Sequence, residues 1–352
     1  MDIIDLRKLR PPDEIPRLVR GLMVPVLAPL SLLYGAGAWV RRRLPARVVD
    51  PGIPVISVGS IAAGGTGKTP ICMYVAERLQ AAGARVCIIS RGYRRRSKIS
   101  PLVVSDGQRM LATLESVGDE PYMMARRLEG VGVVVSADRV QAAIEAERVM
   151  NPTALVLDDG FQYRNIRKHV EVVCFDWATL RGRSMPLPLG TLREGWSAIR
   201  PEHLVVIVVP DGEAKPAALD LGRLSRCRIF YATRSRPTYV DRSGEPVGDL
   251  KQRRLVLLSG IARPAAFEVT CSSAGLNPLA SIRFDDHHWY DAGDAGRIGD
   301  IMKRYACETL LTTEKDVHKL PEEIAAKSVV VRTDIVMEDA GRFAESLDAL
   351  RG

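Results

Sequence analysis

Short apolar runs alternate with longer mixed stretches along most of the chain. Pro54–Val58 (PVISV) is short, apolar and followed by a glycine-rich turn, which predicts a buried strand. A helix is expected from about Lys68 to Ala82, and Arg85–Ser90 (RVCIIS) predicts the next strand. Strand, loop, helix and strand in that order require a parallel sheet. Further runs at Val131–Val135, Ala154–Leu157, Val170–Phe175 and Leu204–Val209 extend it, with a helix between them at Asp138–Met150. The pattern is that of a doubly wound α/β domain reaching to roughly residue 230. Arg228–Asp249 breaks the rhythm with IFYA, TYV, Pro237, Gly244, Pro246 and Gly248, and reads as a short strand-rich linker. A second, smaller α/β pattern follows. Its strands are Leu255–Ser259, Leu279–Phe284, Thr309–Leu311 and Val329–Arg332, with helices near Pro264–Ala274 and Ala292–Tyr305. The expected organisation is an apolar segment at 1–45 that belongs to the first domain, a main domain at 46–230, a linker at 231–250 and a second domain at 251–352.

The segment Gly21–Val40 carries no charge, with Arg17 and Arg20 before it and Arg41–Arg43 after it. Its length could span a bilayer core. Pro25 and Pro29 are expected to disturb a regular helix, and Gly35 and Gly37 to weaken it. The acidic residues upstream argue against a cleaved export signal. Three readings remain in competition, a buried helical hairpin, a membrane-surface anchor with arginines at the headgroups and, less favoured, a true span. The anchor is preferred.

Composition narrows the class. The chain has 352 residues, 46% of them hydrophobic and 26% charged, as in ordinary folded proteins. Its net charge of +8 favours acidic partners such as nucleic acid, anionic membranes or phosphorylated substrates. Aromatic content is 5% and no nucleic-acid motif is present, so nucleic acid is not expected as a partner. None of the six cysteines stands in a CxxC pair, which speaks against a disulfide framework or a cysteine zinc site.

The chemistry begins at Ala62-Ala63-Gly64-Gly65-Thr66-Gly67-Lys68-Thr69. Successive backbone N–H groups can surround a phosphate only where side chains do not block the approach. The start of the following helix adds a favourable dipole. Lys68 supplies charge for the β- and γ-phosphates of ATP, and Thr69 a hydroxyl for Mg²⁺. The common pattern has glycine where Ala62 stands. Asp158-Asp159-Gly160 closes an apolar strand, where carboxylates face the ligand crevice of such sheets and suit Mg²⁺. Asp119 in Gly118-Asp119-Glu120 is either a helix cap or the group that accepts a hydroxyl proton. In Asp285-Asp286-His287-His288 the histidines could bind metal, tune a carboxylate or simply pack. Arg193 could neutralise phosphate charge and Glu194 could contact the metal.

In combination these segments resemble the tetraacyldisaccharide 4′-kinase family of lipid A synthesis. The likeness runs in order through Val58-Gly59-Ser60 with GGTGKTP, Ser90-Arg91-Gly92-Tyr93, Gly118-Asp119-Glu120-Pro121 and Ser136-Ala137-Asp138-Arg139. It continues through Leu157–Gln162, Pro188-Leu189-Gly190, Leu192-Arg193-Glu194, Gly260–Pro264, Phe284 with Asp286-His287-His288, and Thr313–Asp316. The family tolerates a residue other than glycine at Ala62. The resemblance implies a P-loop kinase domain at 46–230 and transfer of the γ-phosphate of ATP to the 4′-hydroxyl of a tetraacyldisaccharide 1-phosphate. It implies Asp119 as catalytic base, with His287 as the partner that tunes it. It also implies active-site positions at Lys68, Arg139, Asp159 and Arg193, and Mg²⁺ near Thr69, Asp158 and Glu194. The expected place is the cytoplasmic face of the inner membrane of a Gram-negative bacterium, peripheral or monotopic, reached through residues 21–43 and without an obligate protein partner. His287 in the second domain and Asp119 in the first would couple domain closure to catalysis. Thr313–Asp316 reads alone as a capped helix start. The competing class is a partitioning-type P-loop ATPase switch on a membrane or DNA, which usually has lysine where Ala63 stands. An ATP-dependent ligase of a small acid shares a similar loop but explains neither the apolar segment nor the DDHH run.

Overall fold

The structure is a computed structural model that describes residues 1–8, 17–181, 185–210, 213 and 221–348, without the side chains of 17–23, 178 and 181. Arg17, Arg20 and the first residues of the apolar segment therefore lie outside the described side chains. Numbered in chain order, the first strands are β1 Asp2–Asp5, β2 Val55–Gly59, β3 Val86–Ser90, β4 Leu102–Asp106 and β5 Gly132–Val135. Next come β6 Ala154–Asp158, β7 Val170–Asp176, β8 Leu204–Val208, β9 Arg228–Arg234 and β10 Thr238–Val240. The last are β11 Leu255–Ser259, β12 Ala280–Arg283, β13 Thr309–Thr313, β14 Ser328–Arg332 and β15 Ile335–Met337.

Two compact units form, Leu18–Arg234 with Ile335–Gly352, and Met1–Arg17 with Ser235–Asp334. The larger holds a nine-stranded sheet in the order β15-β9-β8-β7-β2-β6-β3-β5-β4. All neighbours in it are parallel except the two edge pairs, β4 with β5 and β15 with β9. The smaller holds a six-stranded sheet in the order β1-β12-β11-β13-β14-β10, antiparallel only at β10. Boundaries drawn along the sequence at 230 and 250 follow the chain, whereas the units exchange its ends. β1 pairs in parallel with β12, and β15 closes the outer edge of the larger sheet against β9. The physical reason is that an open sheet edge takes whichever short strand reaches its unpaired N–H and C=O groups. Both closing strands are too brief to signal themselves by periodicity.

β2 is buried at every position, as befits a central strand covered on both faces. Helix Lys68–Ala81 covers one face with Ile71, Cys72, Val75, Ala76 and Leu79, spaced for a single stripe. Helix Arg139–Met150 starts where Asp138 accepts hydrogen bonds from the N–H groups of Val140 and Gln141. Because β2 lies between β6 and β7, the chain leaves it in opposite directions. The crevice beyond the C-terminal ends of these strands is therefore the switch point at which open α/β sheets bind ligands.

The apolar N-terminal segment is one helix, Arg17–Arg43, with Pro25 and Pro29 inside it. The buried hairpin reading fails, because Val24–Arg43 is long and apolar enough to cross a membrane yet only 6% of it is buried. The two prolines stand one turn apart, so the donors they remove fall on one face of the helix.

Candidate active site

The phosphate-binding loop grows directly out of β2. Thr66 N–H donates to the carbonyl of Gly64 at 2.9 Å, which tightens the turn. Gly67 precedes the first residue of helix Lys68–Ala81 at φ 79°, and a Cβ there would come within 2.9 Å of Val208. Both the backbone angle and the space demand glycine. A Cβ on Gly64 or Gly65 would meet no protein atom within 4 Å, so the space above the loop is open to a ligand. Ala62 needs no glycine. It is fully buried and extended, and it pairs with Leu192 in an antiparallel bridge.

That bridge brings the loop Pro186–Glu194 against the phosphate-binding loop. Ala63 N–H donates to Thr191 O and Arg193 N–H to Ile61 O, each at 2.7 Å. Arg193 is thereby aimed at Asp159, with Nη1 to Oδ2 at 2.6 Å. Lys68 Nζ stands 3.9 Å from the other oxygen of Asp159 and donates to Gly64 O at 3.1 Å. Asp159 itself has φ 48°, a left-handed conformation that is uncommon with a Cβ and concentrates at functional sites. Lys68, Asp159 and Arg193 are thus assembled from three separate segments.

Asp158 is buried at the end of β6 and accepts a hydrogen bond from Ser90 Oγ at 2.8 Å. Burial pushes its carboxyl up, the charge of Asp159 adds to the rise, and Ser90 opposes it, leaving it at about 6. Glu120 and Lys68 also act on it, so the start of helix Asp119–Arg127 belongs to this crevice. Asp119 is the first residue of that helix and is buried. Arg139 is buried beside Asp158, Asp159 and Arg91. Burial draws its guanidinium down, and Asp158 acts against that. Its Nη1 donates to Ala137 O at 3.1 Å, while Nε is buried without a hydrogen-bond partner.

Glu194 was expected near a metal. Its carboxylate is instead engaged by Arg42, from the last turn of helix Arg17–Arg43. Arg42 also donates to Ala198 O at 3.0 Å and lies 4.8 Å from the centre of the Phe161 ring. Ser31 and Gly35 on the same helix meet Leu189 and Pro186. Ser31, Gly35 and Arg42 are spaced four and seven apart, so one stripe of the helix docks on the loop that carries Arg193. Neither this contact nor the role of Ser90 was legible in the sequence. Ser90 could have been suspected from its place at a strand end.

Among the described residues, no group of three or more His, Cys, Asp or Glu side chains stands ready for a metal ion. A Mg²⁺ ion held largely by phosphates needs only one or two carboxylates. Thr69, half-buried in the first turn of helix Lys68–Ala81, and Asp158 are oxygen donors of that type. Asp159 Oδ1, buried without a hydrogen-bond partner, offers a further acceptor. The donor chemistry and the open cradle fit ATP with Mg²⁺.

His287 lies in the smaller unit, at φ 64°, with its N–H bonded to Gly260 O at 3.1 Å and Nε2 3.6 Å from Asp286 Oδ2. His288 packs instead, stacked on Phe284 at 4.6 Å and bonded to Asp294 at 2.7 Å.

Comparison with known proteins gives a consistent result. A family model described as tetraacyldisaccharide-1-P 4′-kinase matches residues 23–351. The tetraacyldisaccharide 4′-kinase of Geobacter metallireducens is 33% identical over 321 residues, covering 89% of this chain and 92% of that protein. The one from Anaeromyxobacter dehalogenans is 37% identical over 326 residues, covering 87% and 86%. The solved structure of LpxK from Aquifex aeolicus in complex with ATP superposes with a TM-score of 0.76 at 27% identity, covering 94% of this chain and 99% of that one.

Proposed function

Since the chain belongs to the tetraacyldisaccharide-1-P 4′-kinase family, we propose a division of labour among its residues for that family's reaction. The enzyme transfers the γ-phosphate of ATP to the 4′-hydroxyl of tetraacyldisaccharide 1-phosphate in lipid A synthesis. The observation that carries the residue assignments is the convergence of Lys68, Asp159 and Arg193 at the mouth of the phosphate-binding loop.

In this reading the backbone of Ala62–Gly67 wraps the phosphates of ATP, and Lys68 and Arg193 balance the charge that develops on them. Asp159 holds these two cations apart and aims them. Asp119 accepts the proton as the 4′-oxygen bonds to the γ-phosphorus and the bond to the bridging oxygen of ADP breaks. Arg139 steadies the acidic pair at the end of β6. Thr69 and Asp158 would hold Mg²⁺, which draws charge from the phosphate oxygens when bound. Glu194 is read as fastening the Arg193 loop to the N-terminal helix rather than as a metal ligand. His287 is assigned to tuning Asp119.

The exposed face of helix Arg17–Arg43 is proposed to lie on the cytoplasmic face of the inner membrane. It carries Val26, Leu30, Leu32, Leu33 and Trp39, with Arg43 over the Trp39 ring. Apolar side chains would enter the lipid while the arginines meet anionic headgroups.

The test is ³²P transfer from γ-labelled ATP to the tetraacyl disaccharide 1-phosphate, presented in detergent or in anionic vesicles. Wild type labels the lipid in both. Asp119→Ala is expected to lose about 10²- to 10⁴-fold in kcat. Near-normal labelling by this variant would remove Asp119 as base. Leu33→Asp is expected to slow only the vesicle reaction, and equal rates in both formats would sink the membrane reading.

A further inference from the structure

We infer that Asp316 is a positioning residue for His287, acting through the backbone of Gly260 and the hydroxyl of Tyr290. The inference rests on the reading of His287 as a contributor to turnover. Three segments far apart in sequence meet here, all within the smaller unit: Gly260 after β11, the loop Asp285–Tyr290 after β12, and Asp316 after β13.

The Asp316 side chain has no exposed surface. Its Oδ2 accepts from Gly260 N–H at 3.0 Å and from Thr313 Oγ1 at 2.7 Å. Its Oδ1 accepts from Tyr290 Oη at 3.1 Å and faces Lys319 Nζ, equally buried, at 3.3 Å. A carboxylate offers about four acceptor directions, and this one uses each of them on a donor. Gly260 passes the constraint on, because its carbonyl accepts from His287 N–H at 3.1 Å. Tyr290 fixes the far end of the same loop, packed edge-on against Phe284 and His288 at 5.0 and 4.9 Å.

His287 needs such support. Its φ of 64° lies in the left-handed region, which is disfavoured for a residue with a Cβ and persists only where neighbouring contacts over-determine it. Gly260 cannot be replaced without disturbing the arrangement. A Cβ there would stand 2.9 Å from Tyr290 Oη, 3.0 Å from Asp316 Oδ1 and 3.2 Å from Asp285 O. The Thr313–Asp316 run is therefore no simple helix cap. It ends in the acceptor that sets the conformation of the loop presenting His287.

The test compares kcat and the KM for ATP and for lipid in the full-length protein for Tyr290→Phe, Asp316→Asn and His287→Ala, and for each of the first two combined with His287→Ala. Asp316→Asn is expected to lower kcat about 10- to 100-fold, with KM for ATP little changed, because a small misplacement of a catalytic group is costly. Tyr290→Phe loses less, and keeps the question answerable should Asp316→Asn fold poorly. In the His287→Ala background both substitutions should change kcat by a factor near one. The same fold-loss with and without His287 would overturn the inference and leave a stability role. Unchanged kcat in His287→Ala alone would overturn it differently, by removing the reading on which it rests.

Discussion

Asp158 and Glu171 stand on the two strands that flank β2, opposite Val58 and Ser57 respectively. Neighbouring positions along a strand point to opposite faces, so the two carboxylates leave the sheet on different sides. Asp158 is buried and Glu171 half-buried, and both have cations nearby, yet their protonation moves in opposite directions. Burial and the adjacent Asp159 push Asp158 up to about 6. Burial also pushes Glu171 up, but a hydrogen bond from His203, together with the charge and hydrogen bond of Lys168, brings it down to about 2. Lys168 Nζ lies 2.6 Å from Glu171 Oε1 and also donates to Phe161 O at 3.0 Å. His203 Nδ1 accepts from Arg200 N–H, which leaves Nε2 to donate to Glu171 Oε2 at 3.2 Å. The Glu171 cluster has every charge answered within the protein. The Asp158 crevice crowds two carboxylates together and leaves Asp159 Oδ1 and Arg139 Nε without hydrogen-bond partners. The first arrangement holds the fold, and the second keeps interaction capacity for a ligand.

The largest expected effect breaks the structural side of this comparison. Glu171→Gln leaves Lys168 half-buried beside a neutral group and should cost about 3 kcal/mol of stability, read by denaturant unfolding. The kcat of the folded fraction should stay near wild type. The pH dependence follows from the same group. A folded-state carboxyl held near 2 against an ordinary 4.5 contributes on the order of 3 kcal/mol above about pH 4.5. That contribution falls away as the pH drops toward 2. Wild type should therefore lose stability steeply over that window and Glu171→Gln should lose less. Parallel curves would show that the cluster does not carry the linkage.

On the functional side, Lys68→Ala should lower kcat by about 10²–10³-fold, with a melting temperature close to wild type, if its ammonium serves the phosphates as proposed. A collapse in stability with turnover preserved would reverse the assignment. The smallest effect sharpens the contrast. Asp158→Asn removes a carboxylate whose ionised form burial disfavours, so at neutral pH without added divalent cation it should gain about 1–2 kcal/mol in unfolding free energy while losing activity. A variant that is both less stable and inactive would mean that the Ser90 hydrogen bond outweighs the desolvation of the charge.

Sequence reasoning reached those parts of the molecule whose physics is local. The strand at 54–58, the glycine turn and the helix from Lys68 are consecutive, so backbone angles, the missing side chains and the helix dipole can be read from neighbours alone. The same holds for the helix at 138–150 and for the apolar runs that became β3, β5, β6, β7 and β8. Tertiary structure decided what depends on strand order. It gave the chain's two ends to opposite units, paired Glu194 with Arg42, brought Ser90 to Asp158, and set Asp316, which the sequence placed at a capped helix start, against Gly260 and Tyr290. It also separated Asp158 from Glu171, since a charge is tuned by whatever stands a few ångströms away, and in a doubly wound sheet those neighbours come from distant parts of the chain.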